Sequence, residues 1–415
     1  SQRETTNPSG FESPLPRIFF ILKWVSLLFI YLIMKLTKNH LYIIVILLFL
    51  FINYSNTFAN DFAFDDYNFI VGVEEITSFR YIPSFFMEES WHNLWRPLRQ
   101  VFYVATYSVW ELNPFGYHLN AFILHGMISL LVYIIIGKFA QKEIALMTAL
   151  LFVIHPIHTE RVTNMTGSFD LLGILFYLSA FYLFIQYRLT EQKKYYFISL
   201  ISYILGLLSS EEVITFIGIT LLYDYCFTEH IRKNNMKKLI KTYLPFFLAT
   251  IVYIVLHVII VQQIGRAQTY FEGSFLITFL TSIKALVTYI QLLFFPLDLT
   301  IYRTLPLATS FLSIPFLISS AILLGILSLT WIHRKHKLIL FSSAWFFITM
   351  FLFYNFLPKT TFMADRYLYL PSLGYCLFLS LLIYKMKEIS LFGTSRKLIM
   401  VFVFVIILSS YSYLT

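Results

Sequence analysis

The chain reads as an all-α polytopic membrane protein, and three observations carry that reading. Hydrophobic residues make up 58% of it and charged residues only 13%, whereas soluble domains are roughly half apolar and a quarter charged. Eleven long apolar stretches alternate with short polar loops, each approaching the roughly 20 residues a helix needs to cross about 30 Å of hydrocarbon. Lysines and arginines gather in one set of loops and acidic residues in the other. Lipid offers no partner to open backbone groups, so each span must close its hydrogen bonds within itself, as a helix does.

Taken in order, residues 1–40 form an N-terminal segment, polar at first and apolar over 18–34. It reads as an extra helix, an interfacial helix or sequence upstream of a start at Met34. Residues 41–415 read as the transmembrane domain, with spans expected at 41–58, 117–137, 144–157, 170–187, 195–210, 213–228, 241–261, 314–332, 338–357, 367–385 and 398–414. Thr415 follows directly on a span, and either terminus is open to truncation. The basic loops 138–142, 188–194, 230–238, 333–337 and 385–397 belong in the cytoplasm, which places loops 59–113 and 262–313 outside. The net charge of +9 is then a topology signal and needs no nucleic-acid partner.

Loop 59–113 is the longest, and long loops without a core of their own are commonly functional. It carries Asp61, Asp65, Asp66, Glu74, Glu75, Glu88 and Glu89, and its aromatics Phe85, Phe86, Trp91 and Trp95 predict short helices lying in the membrane interface. The apolar run 274–295 reads as an interfacial or re-entrant helix, because a crossing there would carry the acidic loop around 365 in among the basic ones. Lys284 in its middle fits that reading. The total is about 11 to 13 transmembrane or re-entrant helices. Cys226 and Cys376 lie within or at the ends of apolar spans and predict no disulfide framework. Asn53-Tyr54-Ser55 and Asn164-Met165-Thr166 match the glycosylation acceptor triplet, a pattern common by chance.

The candidate chemistry lies in four external motifs, FAFDDYNFI (62–70), HPIHTER (155–161), SSEEVIT (209–215) and ADRYLYLPS (364–372). Asp65 and Asp66 follow the first span closely, and a partly desolvated carboxylate there suits a general base, Asp66 being favoured over Asp65; the competing reading is a hydrated acid pair. His155, His158, Glu160 and Arg161 emerge together after a span that Pro156 ends. Metal binding, helix capping and binding of an anionic group are the readings, and anion binding is preferred. Arg366 can offer a planar fork to a phosphate at headgroup depth, or pair with Asp365, Asp66 or another external acid. Tyr367, Tyr369 and Pro371 would shape a groove for a lipid tail. Glu211 and Glu212 predict a short external turn, with Glu211 placed to orient a basic residue. His118 and His125 read as satisfied bundle residues, and Asp298, Tyr302 and Arg303 as a second polar cluster.

These motifs, with LWRPL (94–98), GYHLNAFILH (116–125), FDLL (169–172) and FFPLDLTIY (294–302), resemble in the same order those of the transmembrane and tetratricopeptide-repeat O-mannosyltransferases, over about 41–385. The resemblance implies the GT-C glycosyltransferase fold, a polyprenyl-phosphate sugar as co-substrate and catalysis on the outer or lumenal face. It implies Asp65-Asp66 as the acidic motif, and it aligns His155, His158, Glu160, Glu211 and Arg366 with family motif positions. The chain departs from the family pattern at Ser168, Phe169, Ser210 and Asn120, and no tetratricopeptide repeats follow within these residues.

Together the residues and the resemblance predict inverting transfer of a sugar, expected to be mannose, to an acceptor hydroxyl on protein serine or threonine or on a glycan. A carboxylate takes the acceptor's proton; the leaving phosphate needs charge stabilisation more than a general acid. Arg366, Arg161 and His158 are the expected cations. No cofactor is required, and a divalent metal is neither required nor excluded. A prokaryotic plasma membrane is favoured over the endoplasmic reticulum. The alternative is a multi-pass transporter, which would place ionisable residues near the bilayer midplane on broken helices; a membrane scaffold comes third.

Overall fold

The computed structural model describes residues 37–89, 94–229, 236–263, 269–359, 361–386 and 396–415. The apolar segment 18–34, Trp91, most of loop 230–238 and residues 387–395 lie outside the described residues. By its contacts the chain divides into residues 1–45 and 46–415. Of the first unit only the opening turns of helix α1 are described; the bundle belongs to the second.

The described residues are helical, without a strand. The longer helices are α1 (Lys38–Tyr54), α2 (Pro97–Trp110), α3 (Pro114–Ile136), α4 (Lys142–Val153), α5 (Leu171–Thr190), α6 (Lys193–Leu207), α7 (Phe216–Phe227), α8 (Met236–Val261), α9 (Phe275–Phe294), α10 (Ile314–Ile332), α11 (Lys337–Thr349), α12 (Ser372–Lys385) and α13 (Arg396–Leu414). Among the described residues, six stretches are long and apolar enough to cross a membrane: Lys38–Ala59, Pro114–Ile136, Met165–Thr190, Lys237–Val261, Phe275–Phe294 and Ile314–Ile332. The protein is thus an all-α, multi-pass membrane protein.

A helix stands at each of the eleven expected spans, but several spans stop short on one side. α4 ends at Val153 and α11 at Thr349, while α7 begins at Phe216 and α12 at Ser372. The 3₁₀ turns Pro156–His158, Glu211–Thr215, Phe351–Phe353 and Asp365–Leu368 replace the missing helical turns. Proline lacks the N–H that an interior helical position donates, so Pro156 cannot extend α4. These turns carry the charged motifs. Close packing draws the short helices together: a Cβ on Gly374 would stand 2.5 Å from the Ser342 carbonyl oxygen, a distance that only glycine permits between α11 and α12.

The two ends of the bundle differ in chemistry. At one end Phe139, Phe227 and Phe341 form a ring cluster with centroids 4.6–5.3 Å apart. Lys337 lies 4.6 Å over Tyr225, Lys238 pairs with Glu191 at 3.2 Å, and Tyr384 donates to Gln141. This is the basic end. The acidic motifs meet at the other end.

Loop 59–113 holds short helices, as expected, but also a longer one and a core of its own. Short turns run only to Phe85, and the fourteen-residue α2 follows with Arg99, Tyr103 and Val104 buried. Ile70, Ile76, Phe85, Tyr103, Tyr117 and Phe169 give the loop an apolar core, in which Tyr103 stacks on Phe169 at 3.7 Å. Trp95 is buried and stacks on Tyr253. Burial of so much aromatic surface outweighs what an interfacial position would offer these rings.

α9, read from sequence as interfacial or re-entrant, is long enough to cross. Phe271, just before it, packs on Phe362 at 4.9 Å, and near its end the Leu293 carbonyl accepts from Tyr411 and meets the His155 ring nitrogen, both at 3.0 Å. Each end therefore touches segments that flank the charged turns. Lys284 donates to the Pro306 carbonyl, which satisfies the charge in its middle. Cys226 and Cys376 are free and buried.

Candidate active site

Asp170, at the start of α5, is the centre of an ion network that sequence reasoning missed. Its Oδ1 accepts from Arg96 at 2.6 Å and from Arg99 at 3.1 Å, and its Oδ2 from Arg161 at 2.7 Å. Arg96 grips Glu211 through both fork atoms, at 2.7 and 2.8 Å, and Arg161 also pairs with Glu212. Arg99 donates to the Thr166 carbonyl at 2.9 Å. The signal was present as two arginines three apart in LWRPLRQ and a lone aspartate before an apolar span, since charges beside a span need partners. The basic residue that Glu211 holds is Arg96.

Arg161, expected to contact phosphate, is almost wholly buried and committed to Asp170 and Glu212. Burial works to lower the Arg161 guanidinium and is outweighed by Glu212 and Asp170, which raise it. It also donates to the Arg366 carbonyl at 3.1 Å, tying the HPIHTER turn to the ADRYLYLPS turn.

Glu160 completes that tie. Its Oε2 accepts the Arg366 backbone N–H at 2.8 Å and its Oε1 accepts the guanidinium at 2.5 Å. The Arg366 side chain keeps 23% of its surface open and lies 5.9 Å from the Tyr302 ring centroid. Burial lifts the Glu160 carboxyl above its ordinary value, against the pull of Arg366. Arg366 thus pairs with Glu160 rather than with Asp365 or Asp66. Asp365 instead accepts the Thr300 N–H at 2.7 Å and lies 3.5 Å from Arg303.

The two adjacent aspartates have opposite surroundings. Asp66 is buried; its Oδ1 accepts the Thr166 N–H and hydroxyl at 2.8 and 2.7 Å, and its Oδ2 the Ala63 N–H at 3.0 Å. Asp65 is half-buried, and no ion pair engages it among the described residues. Phe64, beside it, has φ of 55°, a strained conformation for an aromatic residue, and its ring meets Tyr302 at 6.2 Å. Tyr302 thereby lies between the acid turn and Arg366.

The histidines are packed rather than presented. His155 meets the Leu293 carbonyl at 3.0 Å through Nε2, and its Nδ1 accepts from Ile157 N–H at 3.2 Å. His158 meets Ser372 at 2.8 Å. Burial, with His125 and His155 nearby, pushes His158 well below its ordinary value, which works against the cationic role expected of it. His125 is satisfied by Tyr369 at 2.6 Å and the Val153 carbonyl at 3.1 Å. Tyr369 is wholly buried on it, which removes it from any tail groove. The glycosylation triplets are also engaged. Asn53 donates to the Phe49 carbonyl and accepts from Ser412, both at 2.7 Å, while Asn164 accepts from Gly167 at 2.8 Å.

A cleft of about 470 Å³ opens beside the network, lined by Glu211, Glu212, Tyr253, His257, Lys359 and Tyr367 among apolar side chains of α8 and the 351–358 turn. Glu212 Oε2 is buried there without a hydrogen-bond partner. Tyr367 joins this cleft to Arg366 next to it in sequence. Carboxylates, aromatic rings and an apolar wall together suit a ligand with both a hydroxyl-rich and a hydrocarbon part.

Comparison with known proteins agrees with the motifs. Residues 102–261 match the family model described as dolichyl-phosphate-mannose-protein mannosyltransferase. The mouse and human proteins named protein O-mannosyl-transferase TMTC3 are each 25% identical over 369 residues, covering 78% of this chain and 40% of the relative. A Caenorhabditis elegans protein O-mannosyl-transferase, F38B6.6, is 30% identical over 200 residues, covering 45% of this chain and 28% of that protein. The chain thus spans 40% of the length of the TMTC3 proteins it matches. With the shared motifs, these matches make the chain similar to the transmembrane and tetratricopeptide-repeat protein O-mannosyltransferases.

Proposed function

We propose that this chain transfers mannose from a polyprenyl-phosphate donor to a serine or threonine hydroxyl of a protein, with inversion, at the end of the bundle where the acidic motifs meet. The observation that carries the reading is the joining of the acid turn to a partly open arginine, Asp65-Asp66 through Phe64 and Tyr302 to Arg366. By the positive-inside rule this end is extracytoplasmic.

Asp65, and not the Asp66 favoured from sequence, is the general base in this reading, because Asp66 spends both oxygens on Thr166 and Ala63. Its carboxylate takes the acceptor hydroxyl's proton as that oxygen bonds to the anomeric carbon. The bond from that carbon to the phosphate oxygen breaks with its electron pair, and polyprenyl phosphate leaves from the opposite face. Arg366, held in orientation by Glu160, faces the charge that develops on the phosphate. The cleft lined by Glu211, Glu212 and Lys359 receives the donor, its carboxylates facing sugar hydroxyls and its apolar wall the first isoprene units.

The test is direct. Purified protein is incubated with labelled polyprenyl-phosphate mannose and a serine- and threonine-rich peptide, and labelled peptide is measured. Release of free mannose without labelled peptide would remove the protein acceptor, and an unconsumed donor would remove the reading altogether.

A further inference from the structure

A second cavity lies among α9, α10, α11 and α12, running from Leu293 and Tyr375, which pack beside His155, to His333 and Lys385 at the basic end. It encloses about 370 Å³ and is walled by apolar side chains such as Ile326, Phe346, Phe347 and Phe378. Among the described residues on its wall, His333 and Lys385 are the basic side chains. Both belong to the basic end, where Arg334 and Lys337 also lie beside His333 in the loop 333–337. At its far end Tyr375 is already engaged with Tyr411 at 2.8 Å, so the groove is hydrocarbon along its length and cationic at one mouth.

We propose that this groove is a binding site for an anionic phospholipid, with an acyl chain along α10 to α12 and its phosphate at His333 and Lys385. Charge complementarity selects this occupant. A polyprenyl-phosphate donor would bring its phosphate to the opposite end of the bundle, where Arg366 stands. A basic mouth between spans is a recognised means of holding acidic headgroups. A lipid that binds only the folded state stabilises it by mass action. The exclusion of the donor rests on the proposed transfer reaction; the charge complementarity of the groove does not.

The experiment uses the full chain, delipidated in neutral detergent, with phosphatidylglycerol or phosphatidylcholine added in mixed micelles. Phosphatidylglycerol should raise the melting temperature by about 2–4 °C more than phosphatidylcholine, and the difference should shrink as salt is raised. Lys385→Glu should abolish the difference while leaving the lipid-free melting temperature unchanged. Ser343→Phe, which fills the groove from α11, should reduce the phospholipid retained in native mass spectra. Equal shifts with both lipids would reduce the groove to an apolar crevice, and retention undiminished in Ser343→Phe would place the lipid elsewhere; either result overturns the proposal.

Discussion

Asp65 and Asp66 are chemically identical neighbours whose surroundings give them different work. Three donors fix Asp66, so replacing it with asparagine leaves an amide whose N–H₂ opposes the Thr166 or Ala63 donor. Asp66→Asn should therefore lower stability by about 1–3 kcal/mol, read as a lower melting temperature with partial activity. Asp65→Asn should leave the melting temperature unchanged and reduce transfer by about 10²–10⁴, the usual effect of removing a general base. Full activity in Asp65→Asn would remove it as the base.

Arg366 and Glu160 make a second residue-scale prediction. Arg366→Lys keeps the charge but loses the fork that meets both Glu160 and a phosphate, so the donor KM should rise roughly ten- to a hundred-fold, from the loss of about 1.5–3 kcal/mol for charge-assisted contacts. The pH dependence follows from burial, which lifts Glu160. As pH falls through that raised value, the native state takes up a proton that the unfolded chain does not yet bind. This group therefore favours folding more at acid pH, even as protonation weakens its hold on Arg366. Transfer should fall on the acidic side before the protein unfolds, and Glu160→Gln should flatten that limb. Activity and circular dichroism followed together between pH 7 and 5 separate the two effects.

At the scale of elements, the charged turns are held by one another more than by their own helices. Asp170 binds three arginines, two from the segment opening α2 and one from the HPIHTER turn, and so anchors α5, α2 and the turn after α4. Asp170→Ala leaves three largely buried guanidiniums short of counter-charge, which should cost about 3–5 kcal/mol. Thermal unfolding in detergent measures it. Glu74, exposed and bonded to Arg80 and the Tyr81 hydroxyl at the surface, should tolerate alanine with little change.

For the whole molecule, the separation of basic and acidic ends makes topology testable. Cys226 and Cys376 are buried and give a quiet background for an impermeant thiol reagent. Cysteines replacing exposed Glu75 and Ser310 should be labelled from one side of sealed vesicles, and those replacing exposed Lys194 and Lys335 only from the other. Labelling of position 310 together with 194 would mean that α9 crosses the bilayer and divides the proposed site.

The sequence by itself determined the helical membrane class, the places of eleven helices and which loops are basic. Each depends on local composition, on how many consecutive residues are apolar and which loops are basic, and composition is legible without knowing what packs on what. It also marked the turns that carry chemistry, because Pro156, Glu211 and Asp365 interrupt apolar runs that would otherwise continue. Only the tertiary structure decided what those charges do. Asp170 meets arginines 74, 71 and 9 residues away, burial beside two other imidazoles pushes His158 below its ordinary value, and Asp66 differs from Asp65 because Thr166 lies against one and not the other. A charge in a membrane protein takes its role from the partner that offsets its desolvation, and that partner is brought by the fold from a distance the sequence does not encode locally.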